Sequence, residues 1–263
     1  MSTTAAVFTH EYGRALKQRG FVSADEANTL YAKMTGNETV GIIALLPQDG
    51  LLPSVYCGAA TLYCRDLDPA LWQDQIPIWM HTLDYFYHAH YPDTWTRETM
   101  DFLSGSMTDH PQQAAADAFQ WTDRLVLPLL ERACDLSSTV DFLIRYGKSV
   151  TQCDNNDTSP LTEDLLCVRA GYQGDFLETL LTRREYTQHR QSDAERGMDS
   201  DGPPYTDYAV RKKEDAAKLK QQLVRILQDP DRLKHALAEC EQRRIRNLSH
   251  LRRAGILLDS PQT

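Results

Sequence analysis

Two groups of side chains in this 263-residue chain have the types and spacing for chemistry. The first is His81, Asp84 and His88. On a helix these positions share one face, so two imidazoles and a carboxylate would converge as metal ligands or as the core of an enzyme site. However, six residues separate the two histidines. That leaves almost two turns between their nitrogens, further apart than the i, i+4 pair of zinc helices. The expectation is therefore a polar helix face holding no metal and no cofactor, with a dispersed catalytic site as the alternative. The second group is basic. Arg243, Arg244, Arg246, Arg252 and Arg253 crowd one segment near the C-terminus, and Arg211, Lys212, Lys213, Lys218 and Lys220 line the segment before it. Such a surface suits contact with a polyanion or with a protein partner. Only Tyr205 and Tyr208 are at hand to stack on bases, so nucleic acid ranks behind protein as the expected partner.

Other familiar chemistries fail on spacing. Tyr146-Gly147-Lys148-Ser149 resembles the tail of a phosphate-binding loop, but the required upstream glycine is Phe142. Asp154-Asn155-Asn156-Asp157 invites a calcium reading. Ser159 and Leu165 then stand where an EF-hand needs Gly and Glu. The six cysteines, at 57, 64, 134, 153, 167 and 240, form no Cys-x-x-Cys pair and read as reduced thiols. Cys134, Cys167 and Cys240 lie on or beside apolar stripes and are expected to be packed. A cross-strand approach of Cys57 and Cys64 is conceivable.

The elements that must position these groups follow from periodicity. Val7, Phe8, Tyr12 and Leu16 mark a helix stopped by Gly20, a residue that takes a left-handed C′ conformation cheaply, with Phe21 packing back on the last turn. Three strand-like runs come next, near 28–34, 39–47 and 54–64, with a turn at 35–38, a hairpin signal at 48–50 and Gly58 as a candidate bulge. From Pro69 a helical stripe is expected through Trp72, Ile76, Trp79, Leu83, Phe86 and His90. Another spans Ala114 to Cys134, where Pro128 must kink or divide it. Ser138 to Asp141 resembles a capping box opening a short helix, and an αα-hairpin follows over 159–181. Residues 187–207 are nearly free of apolar side chains and read as a linker. Two basic helices end the chain, the second capped by Asp229-Pro230 and closed by Gly255. The expected organisation is helix and β-meander over 1–68, a helical region over 69–186, the linker, and a basic helical pair over 208–258: an α+β class protein.

Charge divides along the same lines. Against a formal net charge of −9, residues 1–207 balance to −15 and residues 208–263 to +6. No apolar run approaches a membrane span, and the first residues lack the basic and apolar regions of a signal peptide. A cytoplasmic protein with no membrane partner is the expectation.

The helix ending in Gly20-Phe21, the short meander and the helical half together resemble uncharacterised bacterial α+β proteins, some of the polymorphic-toxin immunity type. The resemblance spans about residues 5–185 and rests on layout. It implies a non-enzymatic, immunity- or inhibitor-like protein that occludes a protein partner. A basic toxin or nuclease would be steered by the acidic body.

Overall fold

A computed structural model of the chain describes residues 3–46, 51–63, 67–69, 81–83, 86, 110–136, 138–139, 142, 225–226 and 228–256. It forms two compact units. One is built on Met1–Leu62, Asp66–Gly147 and Arg244–Thr263, the other on Tyr63–Arg65 and Lys148–Arg243. The fold class is α+β, as the residue pattern indicates.

Helix α1 (Thr3–Gln18) buries Ala5, Phe8, Tyr12 and Leu16, the three- to four-residue spacing of one helical face. It stops as its sequence requires. Gly20 has φ +82°, its N–H bonds the Lys17 carbonyl, and the Phe21 N–H bonds the Leu16 carbonyl. This is a Schellman ending, with Phe21 buried behind it.

The sheet is antiparallel and strictly sequential, in the order β1 (Val22–Ser23), β2 (Leu30–Met34), β3 (Thr39–Leu46), β4 (Ser54–Thr61) and β5 (His81–Thr82). The three expected strands are present, and two short edge strands flank them. Strands β3 and β4 pair residue for residue from Thr39↔Thr61 to Leu46↔Ser54, so Gly58 lies in an unbroken ladder and makes no bulge. All but Leu46 of β3 is buried. Burial on both faces explains why this strand reads as a continuous apolar run rather than an alternating one.

One face of the sheet presents Tyr31, Ile43, Leu45, Val55, Cys57 and Ala59 to the main core. Against it lie α1 and a composite helix. That helix comprises α2 (Pro111–Trp121), a π-helical turn (Thr122–Val126) and α3 (Leu127–Arg132). The expected division at Pro128 takes this form. Proline offers no N–H to the carbonyl four residues back, and its ring crowds that carbonyl. Widening the preceding turn lets the axis continue, and the Leu127 N–H accordingly bonds the Thr122 carbonyl, five residues back.

Ring packing locks the layers. Phe8 and Tyr12 stack at 5.7 Å, and Tyr12 meets Phe119 edge-on at 5.8 Å. The buried Tyr12 hydroxyl lies 2.5 Å from Thr122 Oγ1, which donates to the Ala118 carbonyl. Thr122 has one hydroxyl proton, so Tyr12 must be the donor in their shared bond. Arg19 pairs with Asp123 at 2.6 Å, tying the end of α1 to the same turn.

The β2–β3 turn is fixed from outside. Thr35 Oγ1 donates to the Ala133 carbonyl at 2.8 Å. Beside it, a Cβ on Gly36 would stand 1.5 Å from the Cys134 carbonyl oxygen. The next helix begins three residues earlier than its sequence pattern suggests. Asp135 is the N-cap: its Oδ1 accepts from the Ser138 N–H at 2.8 Å, and Ser138 Oγ accepts from the Asp135 N–H at 3.1 Å. Asp135 and Ser138 thus form a reciprocal capping box.

The stripe expected from Pro69 to His90 is helical at Leu83 and Phe86, both buried, but His81 and Thr82 are strand. Their ladder bonds to Tyr56 and Cys57 outweigh the local helical period. The αα-hairpin and the linker lie outside the described residues.

Because the obstacle at Gly36 is backbone, no rotamer change relieves it. Gly36→Ala should lower unfolding free energy by about 3 kcal/mol, the upper end of overpacking costs, measured by urea denaturation.

Candidate functional site

The second basic helix is α4 (Pro230–Arg253). Asp229 caps it through bonds from the Asp231 and Arg232 amides to Oδ1, at 3.1 and 3.2 Å, with Pro230 as the first helical residue. Its C-terminus repeats the α1 ending. Gly255 has φ +74°, its N–H bonds the Arg252 carbonyl, and the Ile256 N–H bonds the Leu251 carbonyl. Leu251 and Ile256 are both buried.

The last turns of this helix belong to the first unit. Asn247 docks them there. Its Oδ1 accepts from the Leu67 N–H at 2.9 Å, and its Nδ2 donates to the Leu62 carbonyl at 2.9 Å. One buried amide thereby satisfies two backbone groups just beyond β4. His250 adds a contact: its buried Nδ1 stands 2.8 Å from Asp68 Oδ2, at ion-pair distance but without hydrogen-bond alignment. The basic arm therefore docks in cis over its final turns. No sequence signal marked Asn247, a single amide among arginines whose partners lie 180 and 185 positions away.

Docking sorts the five candidate arginines. Arg243 and Arg244 are half-buried, and each is engaged within the protein. Arg246, Arg252 and Arg253 are exposed and make no ion pair among the described residues. Beside them Ile245 is 59% exposed, the most exposed large apolar side chain among the described residues. Positions 245 and 252 lie seven apart, as do 246 and 253, so the four form one outward stripe. Arg252 and Arg253 also sit in the last turn, where positive charge suits the helix dipole.

His81 does not take the helical state expected of it. His81 is in strand β5, so the helical face that would join it to Asp84 and His88 fails at its first member. Asp84 and His88 lie outside the described residues. Among the described residues no cluster of three His, Cys, Asp or Glu side chains could hold a metal. Cys57 and Cys240 are buried, whereas Cys134 is exposed, contrary to its apolar neighbourhood in sequence, because the chain leaves α3 there and turns to the Asp135 cap. Cys57 is free, and its proposed neighbour Cys64, like Cys153, Cys167 and the Asp154 loop, lies outside the described residues. Burial pushes the Cys57 thiol far up, and burial likewise raises the Tyr12 phenol well above its usual value. Neither side chain is a thiolate or phenolate at neutral pH, so neither is an activated nucleophile.

No helix among the described residues is long and apolar enough to cross a membrane. No protein-family model, curated protein or solved structure matches the chain.

Asn247→Leu keeps the volume but leaves the Leu67 amide and the Leu62 carbonyl without partners. It should cost about 2–4 kcal/mol. Hydrogen exchange should report the loss as faster exchange at Leu67 and over residues 247–256, with α1 and β3 still protected.

Proposed function

We propose that this protein is a non-enzymatic binding protein of the immunity or inhibitor kind, which occludes a protein partner through the outer stripe of α4. The observation that carries the reading is the stripe itself: Ile245 exposed among the unpaired Arg246, Arg252 and Arg253. A single exposed isoleucine is ordinary on a protein surface. Arginine is enriched at protein interfaces, and an apolar anchor ringed by arginines matches how hot spots are built. Burying Ile245 under a partner would also strengthen the surrounding ion pairs by excluding water.

The stripe refines the partner's chemistry. The acidic bulk of residues 1–207 favours basic partners at long range, but the side chains offered for contact are cationic. The complementary surface is an apolar pocket rimmed by carboxylates. The docking in cis supports this reading over a freely projecting nucleic-acid arm, because Asn247 and Leu251 hold the stripe rigid and so reduce the ordering cost of binding.

Affinity capture from the source cells, with the wild type beside Ile245→Asp and a triple Arg246→Glu, Arg252→Glu, Arg253→Glu variant, tests the proposal. The expected result is one protein enriched by the wild type and reduced at least thirtyfold by either variant, the loss a hot spot of about 2 kcal/mol gives. Salt-sensitive retention of duplex DNA or RNA, lost in the arginine variant but kept in Ile245→Asp, would replace this reading with a nucleic-acid one.

A further inference from the structure

A groove of about 390 Å³ runs between α1 and the segment leading into β2, lined by His10, Gly13, Arg14, Lys17, Asn28 and Tyr31 among others. His10, Arg14 and Lys17 follow i, i+4, i+7 and so share one helix face. The volume falls in the lower part of the ~300–1,000 Å³ range of small-molecule sites.

Hydrogen bonding in this region leaves donors in excess. The Glu11 carboxylate is held by Arg14 at 2.5 Å and faces His10 Nδ1 at 3.2 Å. Asn28 Oδ1 accepts from Lys17 Nζ at 3.0 Å. The Asp25 carboxylate takes the amides of Thr29 and Leu30 and the Thr29 hydroxyl. The nearby acceptors are thus engaged, while Lys17 and Arg14 keep further N–H groups free.

Tyr31 is the telling residue. As a whole it is only 1% exposed, its hydroxyl makes no hydrogen bond among the described residues, and that oxygen is not one of the enclosed polar atoms left without a partner, so it opens onto the groove. A Cβ on Gly13 would fall 1.8 Å from that oxygen, so only glycine at 13 lets the phenol reach the groove wall. Burial and the Asp25 charge push Tyr31 up to about 12, which keeps it a protonated donor at neutral pH.

We propose that the groove between α1 and the 24–31 segment binds a small organic oxyanion, a phosphorylated or carboxylated molecule, whose oxygens accept from the Tyr31 hydroxyl, Lys17 and Arg14. The cations supply charge, and Tyr31 supplies a fixed donor inside the groove. The site is independent of the α4 stripe.

Thermal unfolding of the full chain with glucose 6-phosphate, with citrate, and with potassium chloride at matched ionic strength tests the proposal. The melting temperature should rise saturably with one or both anions, beyond the chloride control, and the responding anion identifies phosphate or carboxylate as the preferred group. Lys17→Gln and Tyr31→Phe should each weaken the apparent affinity at least tenfold. No saturable rise with either anion would overturn the proposal. So would an undiminished response in both variants.

Discussion

The hydrogen bond from Tyr12 to Thr122 is the constraint around which the first unit is arranged. Tyr12 is fully buried, and its hydroxyl needs a partner where water is absent. Thr122 provides one at the point where α2 widens into the π turn. That turn is itself demanded by Pro128. Three features far apart in sequence are therefore mutually dependent: the α1 face, the widened turn and the sheet face beneath them. The stack from Phe8 through Tyr12 to Phe119 transmits the same alignment through ring contacts. Shifting α1 by one turn would break the bond, the stack and the seat of Tyr31 under Gly13 together.

What was legible in the sequence was local. Gly20-Phe21 and Gly255-Ile256 specify helix endings because positive φ and the return bonds involve only the last turn. Strands β2 to β4 declared themselves through apolar runs between turn residues. Strand β5 did not, because two residues carry no period of their own and owe their state to Tyr56 and Cys57 across the ladder. The helical state expected of His81 failed for that reason. The capping box was offset because Asp135 and Ser138 each suit an N-cap, and only the bond directions separate them. Within the candidate surface, the basic residues stood out by composition, but which arginines stay free depends on the docking geometry of α4. Neither Asn247 nor Tyr31 is conspicuous among its neighbours. Their roles come from bonds made or missing in three dimensions.

Charge segregation also acquires a physical meaning. The acidic body and the basic arm are not two independent solvated surfaces, since the end of the arm is bonded into the body's own unit. Part of its positive charge is used internally, at Arg243 and Arg244, and part is displayed. The cationic face of α1 is a second exception to the acidic bulk. Local arrangement, more than the total of −9, decides which partners can approach closely.

The bonds between Asn247 and the segment after β4 also set an order of events during synthesis. The Leu62 carbonyl and the Leu67 amide emerge from the ribosome some 180 residues before the side chain that satisfies them. At a few residues to some tens of residues per second, the sheet can pair long before that amide exists. A growing chain thus carries a nearly finished sheet with a polar gap at its rim. The first unit is closed only when α4 arrives, so a segment made late completes a sheet made early.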